Sequence, residues 1–225
     1  TRQIWAIKTD GGEARAVTSF PGGVLEYVWS PDSKSLAIIS DVDTNTIDAT
    51  DDEVANNVPQ VKVVRRIRCR VDTLGWRGDA FHQLSIADVA SGDTEQLTDG
   101  EGDYRTPVWS PDGNSIAYIS DASDDRDICN DNAAYIMEVT SGATRVVSEG
   151  LHHVASLAWA PNSKRLVAIG SDDPEVGSAW QGMLWVLEAG SPPRAITDDT
   201  IRPAAGFMPV SFPPEIRWTS DDRVL

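Results

Sequence analysis

Three arginines recur at alternate positions in Arg66-Ile67-Arg68-Cys69-Arg70-Val71. If this stretch is a β-strand, its period of two puts Arg66, Arg68 and Arg70 on one face and Ile67, Cys69 and Val71 on the other. Lys62 and Arg65 lie close by, making this the basic patch of an otherwise acidic chain. Such a guanidinium row can draw in carboxylate-bearing partners. The competing reading, which is favoured, is structural: charge that protects an edge strand from mispairing, or that salt-bridges to neighbouring strands.

Other clusters carry less chemistry. Asp41-x-Asp43-x-Asn45 imitates the start of a calcium loop, but position six is Thr46 instead of Gly and position twelve is Asp52 instead of Glu. Asp121, Asp124, Asp125, Asp127 and Asp131 read as a solvated loop between strands. His152-His153 is an adjacent pair without further Cys or His at ligand spacing, a weak zinc signal. Cys69 and Cys129 are too few for a disulfide framework and favour neither redox compartment. The expectation is a chain with no metal site, no cofactor and no catalytic residue of its own.

The charge balance excludes whole classes of partner. Nineteen basic residues face 35 acidic ones, a net charge of −16. Such a field repels phosphate backbones and anionic lipid, so neither nucleic acid nor a membrane is an expected partner. The chain holds 25 Asp to 10 Glu and 15 Arg to 4 Lys. A surface rich in short carboxylates and poor in Lys stays soluble at high salt, where screening removes self-repulsion. Adaptation to a saline interior is one expectation; a GC-rich genome favouring Arg over Lys is the alternative.

Stepping along the chain, one pattern returns. Trp29-Ser-Pro-Asp-Ser-Lys-Ser-Leu-Ala-Ile-Ile-Ser-Asp reappears as Trp109-Ser-Pro-Asp-Gly-Asn-Ser-Ile-Ala-Tyr-Ile-Ser-Asp, and more loosely from Trp159 and Trp218. The Trp-to-Trp spacings are 80, 50 and 59 residues. Each copy reads as a hairpin. A strand ends at the Trp, Pro sets φ in the turn, Asp bonds nearby amides, and an apolar strand follows that is buried on both faces. The recurrent Trp is expected to pack between neighbouring units.

A second hairpin alternates with the first. Its opening strands are Gln3-Ile-Trp-Ala-Ile, Gln83-Leu-Ser-Ile-Ala, Ala134-Tyr-Ile-Met-Glu-Val and Met183-Leu-Trp-Val-Leu. Each meets a Gly-bearing turn and a short strand ending at Val17-Thr18, Leu97-Thr98, Val147-Ser148 or Ile196-Thr197. Four strands per period of about 45–50 residues make a propeller blade. The fold class is therefore all-β, a partial β-propeller of four-stranded antiparallel blades. The expected division is a half blade at 1–20, a long blade at 24–99 with an insertion at 41–80, blades at 104–149 and 153–198, and the start of another at 215–225. A closed propeller needs at least about four blades. Further polypeptide is therefore expected to finish the ring.

The Trp-Ser-Pro-Asp-Gly hairpin with a downstream Leu-Thr-Asp is similar to blades of Tol-type periplasmic propellers and of the prolyl oligopeptidase family of serine peptidases. The insertion separates the two. An Arg-rich segment leading through Val71-Asp-Thr-Leu-Gly-Trp-Arg-Gly-Asp79 to His82-Gln-Leu resembles the long early blade of the acylaminoacyl-peptidase and dipeptidyl-aminopeptidase branch of that family. Thr73 and Leu74 stand where a Gly is usual, and Trp76 where a Tyr is usual.

That resemblance implies a propeller ahead of an α/β-hydrolase domain, with the nucleophile on a Gly-x-Ser-x-Gly elbow. The present sequence contains no such elbow, and His82, His152 and His153 have no nucleophile presented to them at a strand-to-helix turn. By the resemblance, the partners are the downstream hydrolase domain and a peptide substrate, and the location is cytoplasmic, with the periplasm as alternative. Arg66, Arg68 and Arg70 become candidates for substrate or domain docking. The other reading is a non-enzymatic Tol-like propeller that binds protein partners.

Overall fold

A computed structural model describes residues 1–43, 64–71, 75–121, 123–129, 131–174, 182–198, 216–220 and 223–225. The described elements are all strands: β1 (Trp5–Ala6), β2 (Arg15–Ala16), β3 (Val24–Trp29), β4 (Ser35–Val42), β5 (Arg70–Val71), β6 (Gly75–Trp76), β7 (Phe81–Asp88) and β8 (Thr94–Gln96) come first. They continue as β9 (Tyr104–Trp109), β10 (Ser115–Ser120), β11 (Ala133–Glu138), β12 (Thr144–Val146), β13 (His152–Trp159), β14 (Arg165–Ser171), β15 (Met183–Glu188) and β16 (Arg194–Ala195). Three antiparallel four-stranded sheets run in the orders β3-β4-β7-β8, β9-β10-β11-β12 and β13-β14-β15-β16. Two-stranded pairs β1-β2 and β5-β6 accompany them, and Trp218 bridges Val224.

The second strand of each sheet explains the architecture. Leu36 to Ile39, Ile116, Ala117, Ile119, Leu166 to Ala168 and Ile169 are at most 1 % exposed. Alternation divides them between two faces. Leu36 and Ile38 pack with Val17, Ile4 and Ala6, whereas Ala37 and Ile39 pack with Ile116 and Tyr118 of the next sheet. Ala117 and Ile119 then meet Leu157, Leu166 and Ala168 of the third. The middle sheet is thus packed on one face against the first and on the other against the third, which is how propeller blades stack.

Local chemistry sets both hairpins. In the first, Ser30 Oγ donates to Asp32 Oδ1 at 2.6 Å, and Asp32 accepts the Lys34 amide at 3.1 Å. Ser110, Asp112 and Asn114 repeat this at 2.6 and 3.0 Å, and Asn162 takes the Lys164 amide at 3.0 Å. In the second hairpin, the closing Thr of the fourth strand clamps the third. Thr98 Oγ1 accepts the Leu84 amide at 2.9 Å and donates to Gln83 Oε1 at 2.7 Å. Thr18 does the same with Ile4 at 2.9 Å and Gln3 at 2.8 Å. Ser148 and Thr197 accept Ala134 and Leu184 amides at 2.8 and 2.9 Å. The Leu-Thr pattern is therefore a hydroxyl clamp, and β1-β2 carries the same clamp as the third and fourth strands of a blade.

Meandering strands put the first and third turns of a blade at one end, and the second turn and the inter-blade link at the other. Asp41, Phe81, His82, Asp103, Asp121 and His152 all fall at this second end. The functional side chains gather there.

Candidate functional site

Arg77 follows β6 and is buried, its side chain 3 % exposed. Its Nη1 and Nη2 donate to Asp103 Oδ2 and Oδ1 at 2.9 and 2.8 Å, a two-pronged pairing. Nη2 also reaches Asp41 Oδ1 at 2.8 Å, at the end of β4. The Asp103 carboxylate further accepts the His82 amide at 2.9 Å, and His82 Nε2 lies 3.4 Å from Asp41 Oδ1. Burial by itself would raise the Asp103 carboxyl, but the Arg77 hydrogen bonds, the His82 and Arg77 charges and the His82 amide hold it well below the usual range. Burial works against the Arg77 charge, yet Asp103 and Asp41 raise it above its ordinary value. His82 is lowered, first by burial, with Asp103 pulling the other way.

A second anchor lies one blade on. Asp121 Oδ1 accepts the Asp103 amide at 2.9 Å, while its Oδ2 takes Arg68 Nη1 at 2.9 Å. Arg68 Nη2 donates to the Cys129 carbonyl at 2.6 Å. Arg66 grips Asp127 Oδ1 through Nη2 at 2.9 Å, bonds the Ala80 carbonyl at 2.8 Å, and lies 3.8 Å over the Phe81 ring. Arg126, paired with Glu101, approaches the same ring at 5.5 Å. Arg65, Arg66, Phe81, Gln83, Glu101 and Arg126 help line a cleft of about 360 Å³.

The geometry corrects two expectations. Residues 66–69 form a bend and turn instead of a strand; pairing begins only at Arg70, with Trp76 opposite. The cause is visible in Asp127, whose Oδ2 takes the Ile67 amide at 3.1 Å while Oδ1 holds Arg66, folding the backbone round one carboxylate and leaving Ile67 71 % exposed. Arg66 and Arg68 are brought together on the second blade, and Arg70 stands exposed on β5. The aspartate cluster is not a uniformly solvated loop, since Asp121 is 4 % exposed and Asp127 is ion-paired. The calcium-like stretch starts at an aspartate already engaged by Arg77, and its residues 44–52 lie outside those described. His152 Nδ1 sits 2.7 Å from Asp131 Oδ2.

Sequence reasoning missed Arg77 and Asp103 altogether. A signal was present in the repeat: Ile39-Ser40-Asp41 and Ile119-Ser120-Asp121 place an acid at the same strand end of consecutive blades. Each of those acids takes an arginine from the 64–80 excursion, Arg77 on the first and Arg68 on the second. The third blade has Ser171 there instead. The excursion is thus fastened across two blades. This is positioning chemistry: fixed guanidinium–carboxylate pairs hold the described parts of the loop in place.

Comparison with known proteins agrees with this architecture. The family described as the dipeptidyl peptidase IV (DPP IV) N-terminal region matches residues 70–180. An uncharacterized peptidase, YuxL, of Bacillus subtilis is 30 % identical over 136 residues, covering 60 % of this chain and 20 % of that protein. A puromycin-hydrolyzing peptidase of Mycobacterium tuberculosis superposes with a TM-score of 0.61 at 15 % identity, over 99 % of this chain and 31 % of the other. TolB from Acinetobacter baumannii superposes with a TM-score of 0.53 at 18 % identity, over 88 % of this chain and 38 % of the other. The chain spans about a fifth of the length of its Bacillus relative.

Proposed function

We propose that this chain is β-propeller of a prolyl oligopeptidase family peptidase, and that it covers the active site of an acylaminoacyl-peptidase-like enzyme and limits entry to short peptides. The catalytic residues would reside in a downstream α/β-hydrolase domain, which the propeller contacts. The observation that carries this reading is the match over residues 70–180, which starts inside the excursion and runs through the second blade and the first two strands of the third. The fastening of that excursion supports it, because a gate must hold its shape against solvent. Enclosure would also keep water from the reacting groups and strengthen the electrostatics around them. Of the three candidate arginines, Arg66 and Arg68 are held by carboxylates of the same chain, so the exposed Arg70 is the one assigned to docking against the hydrolase domain.

The test uses the polypeptide of the whole reading frame, offered a dipeptide arylamide and denatured casein. The expected result is hydrolysis of the small substrate, little of casein, and covalent labelling by a fluorophosphonate. Equal cleavage of both would overturn the size limit. Absence of both hydrolysis and labelling would overturn the peptidase reading. It would favour the second one, a protein-binding propeller, which the TolB superposition supports.

A further inference from the structure

The loop between β10 and β11 frames a cavity of about 230 Å³. Among the described residues, its lining carries Asp121, Asp125 and Asp131 and no basic side chain. Two of these acids are already answered, Asp121 by Arg68 at 2.9 Å and Asp131 by His152 at 2.7 Å. Asp125 is exposed and has no cationic partner among the described residues; it accepts the Cys129 thiol at 3.1 Å.

Oxygens inside the cavity go unanswered as well. Ser120 is 2 % exposed, and its Oγ has no hydrogen-bond partner. The buried Asn132 Oδ1 is likewise unpartnered, and an amide oxygen can only accept. Buried polar atoms are nearly always paired, so two on one cavity wall mark a place where a donor belongs. Among the described residues, no three of His, Cys, Asp or Glu stand close enough to hold a metal ion. Ser120 and Tyr135 also line a second cavity of about 290 Å³, together with Tyr104 and Tyr118. Tyr118 stacks on Tyr135 at 5.5 Å and meets Tyr104 edge-on at 5.4 Å. Acceptor oxygens beside aromatic rings suit an organic cation. An ammonium offers three donors and no acceptor, and ring faces attract positive charge.

We propose that this cavity binds an alkylammonium group of the lysine side-chain type. Asp125 supplies the countercharge, Ser120 Oγ and Asn132 Oδ1 accept from the ammonium, and the methylene stem lies along Tyr135 toward the tyrosine crevice. The net charge of −16 draws such cations to the whole surface, and the two buried acceptors make this place selective. None of Ser120, Asp125, Asn132 and Tyr135 enters the peptidase reading, so binding here is independent of it.

Saturation-transfer NMR on the whole-reading-frame polypeptide tests it, with Nα-acetyl-lysine methylamide as probe. Nα-Acetyl-norleucine methylamide, which has the stem without the charge, is the reference. Expected is binding of the lysine probe alone, with a Kd on the order of 1 mM for so small a ligand. Asp125→Asn and Ser120→Ala should each weaken it about tenfold, the worth of a hydrogen bond to a charged group. Two controls should leave it unchanged: Asp172→Asn, an exposed acid of the third blade, and Ser40→Ala, the equally unpartnered counterpart of Ser120 in the first. Equal binding of the norleucine probe would overturn the cation site in favour of an apolar crevice. Equal weakening by either control would overturn it as an effect of the surface field or of packing. Calcium that displaces the probe mole for mole would assign the cavity to a metal ion instead. No binding of the lysine probe, or binding indifferent to Asp125→Asn, would overturn the site outright.

Discussion

At the residue scale, the arginines of the excursion differ by what they would leave behind. Removing Arg77 strands Asp103, whose side chain is 8 % exposed, without its two-pronged partner. Breaking a buried pair from one side costs about 3–5 kcal/mol. Arg77→Gln should lower the unfolding free energy measured in urea by that order, whereas Arg70→Gln, on an exposed position, should stay within ~0.5 kcal/mol. The pH dependence follows from the same cluster. His82 is lowered from its ordinary 6.5 by burial, so the unfolded chain binds its proton first as pH falls. Its contribution is complete above 6.5 and is lost as pH drops toward the folded value. Asp103, lowered from 3.8, holds its contribution above that value and loses it in more acid solution. Urea titrations across pH should show two acid steps, and His82→Gln should remove the upper one.

At the element scale, the three Trp hairpins form a natural comparison. Their turns need a left-handed residue, filled by Ser33 at φ 59°, Gly113 at φ 74° and Ser163 at φ 57°. Left-handed backbone costs an L-residue about 1–2 kcal/mol, against which glycine's extra freedom in the unfolded chain offsets about 0.5–1. Ser33→Gly should therefore raise stability by up to ~1 kcal/mol in thermal melts. Gly113→Ala should lower it by a similar amount. A Cβ at Gly113 meets only Pro31 Cδ, at 4.0 Å, so the cost there is backbone and not crowding. The hairpins were readable because their signals are local: Pro, Asp and Gly act within four residues. The 66–69 turn was not, because the carboxylate that bends it lies about 60 residues away at Asp127.

For the whole molecule, the decisive quantities are the −16 charge and the stacking of blades. Self-repulsion of that size should be relieved by screening. The melting temperature should rise between low salt and molar KCl; a flat or falling curve would assign the Arg-over-Lys bias to codon composition instead. The excursion's ion pairs are largely buried and should be screened less than the surface field. Arg77→Gln should accordingly cost about as much at high salt as at low.

Read alone, the chain determined its blades. Period, turn chemistry and doubly buried strands repeat often enough that each copy corroborates the others, and every one of those signals acts over a few residues. The tertiary structure decided which charges meet. Arg77 with Asp103 and Asp41, and Arg66 and Arg68 with Asp127 and Asp121, join residues 26 to 61 positions apart. Nothing in the local pattern around any of them names its partner. An arginine in sequence can face solvent or a carboxylate equally well, and only the stacking of one blade on the next removes the water that would otherwise have been its partner.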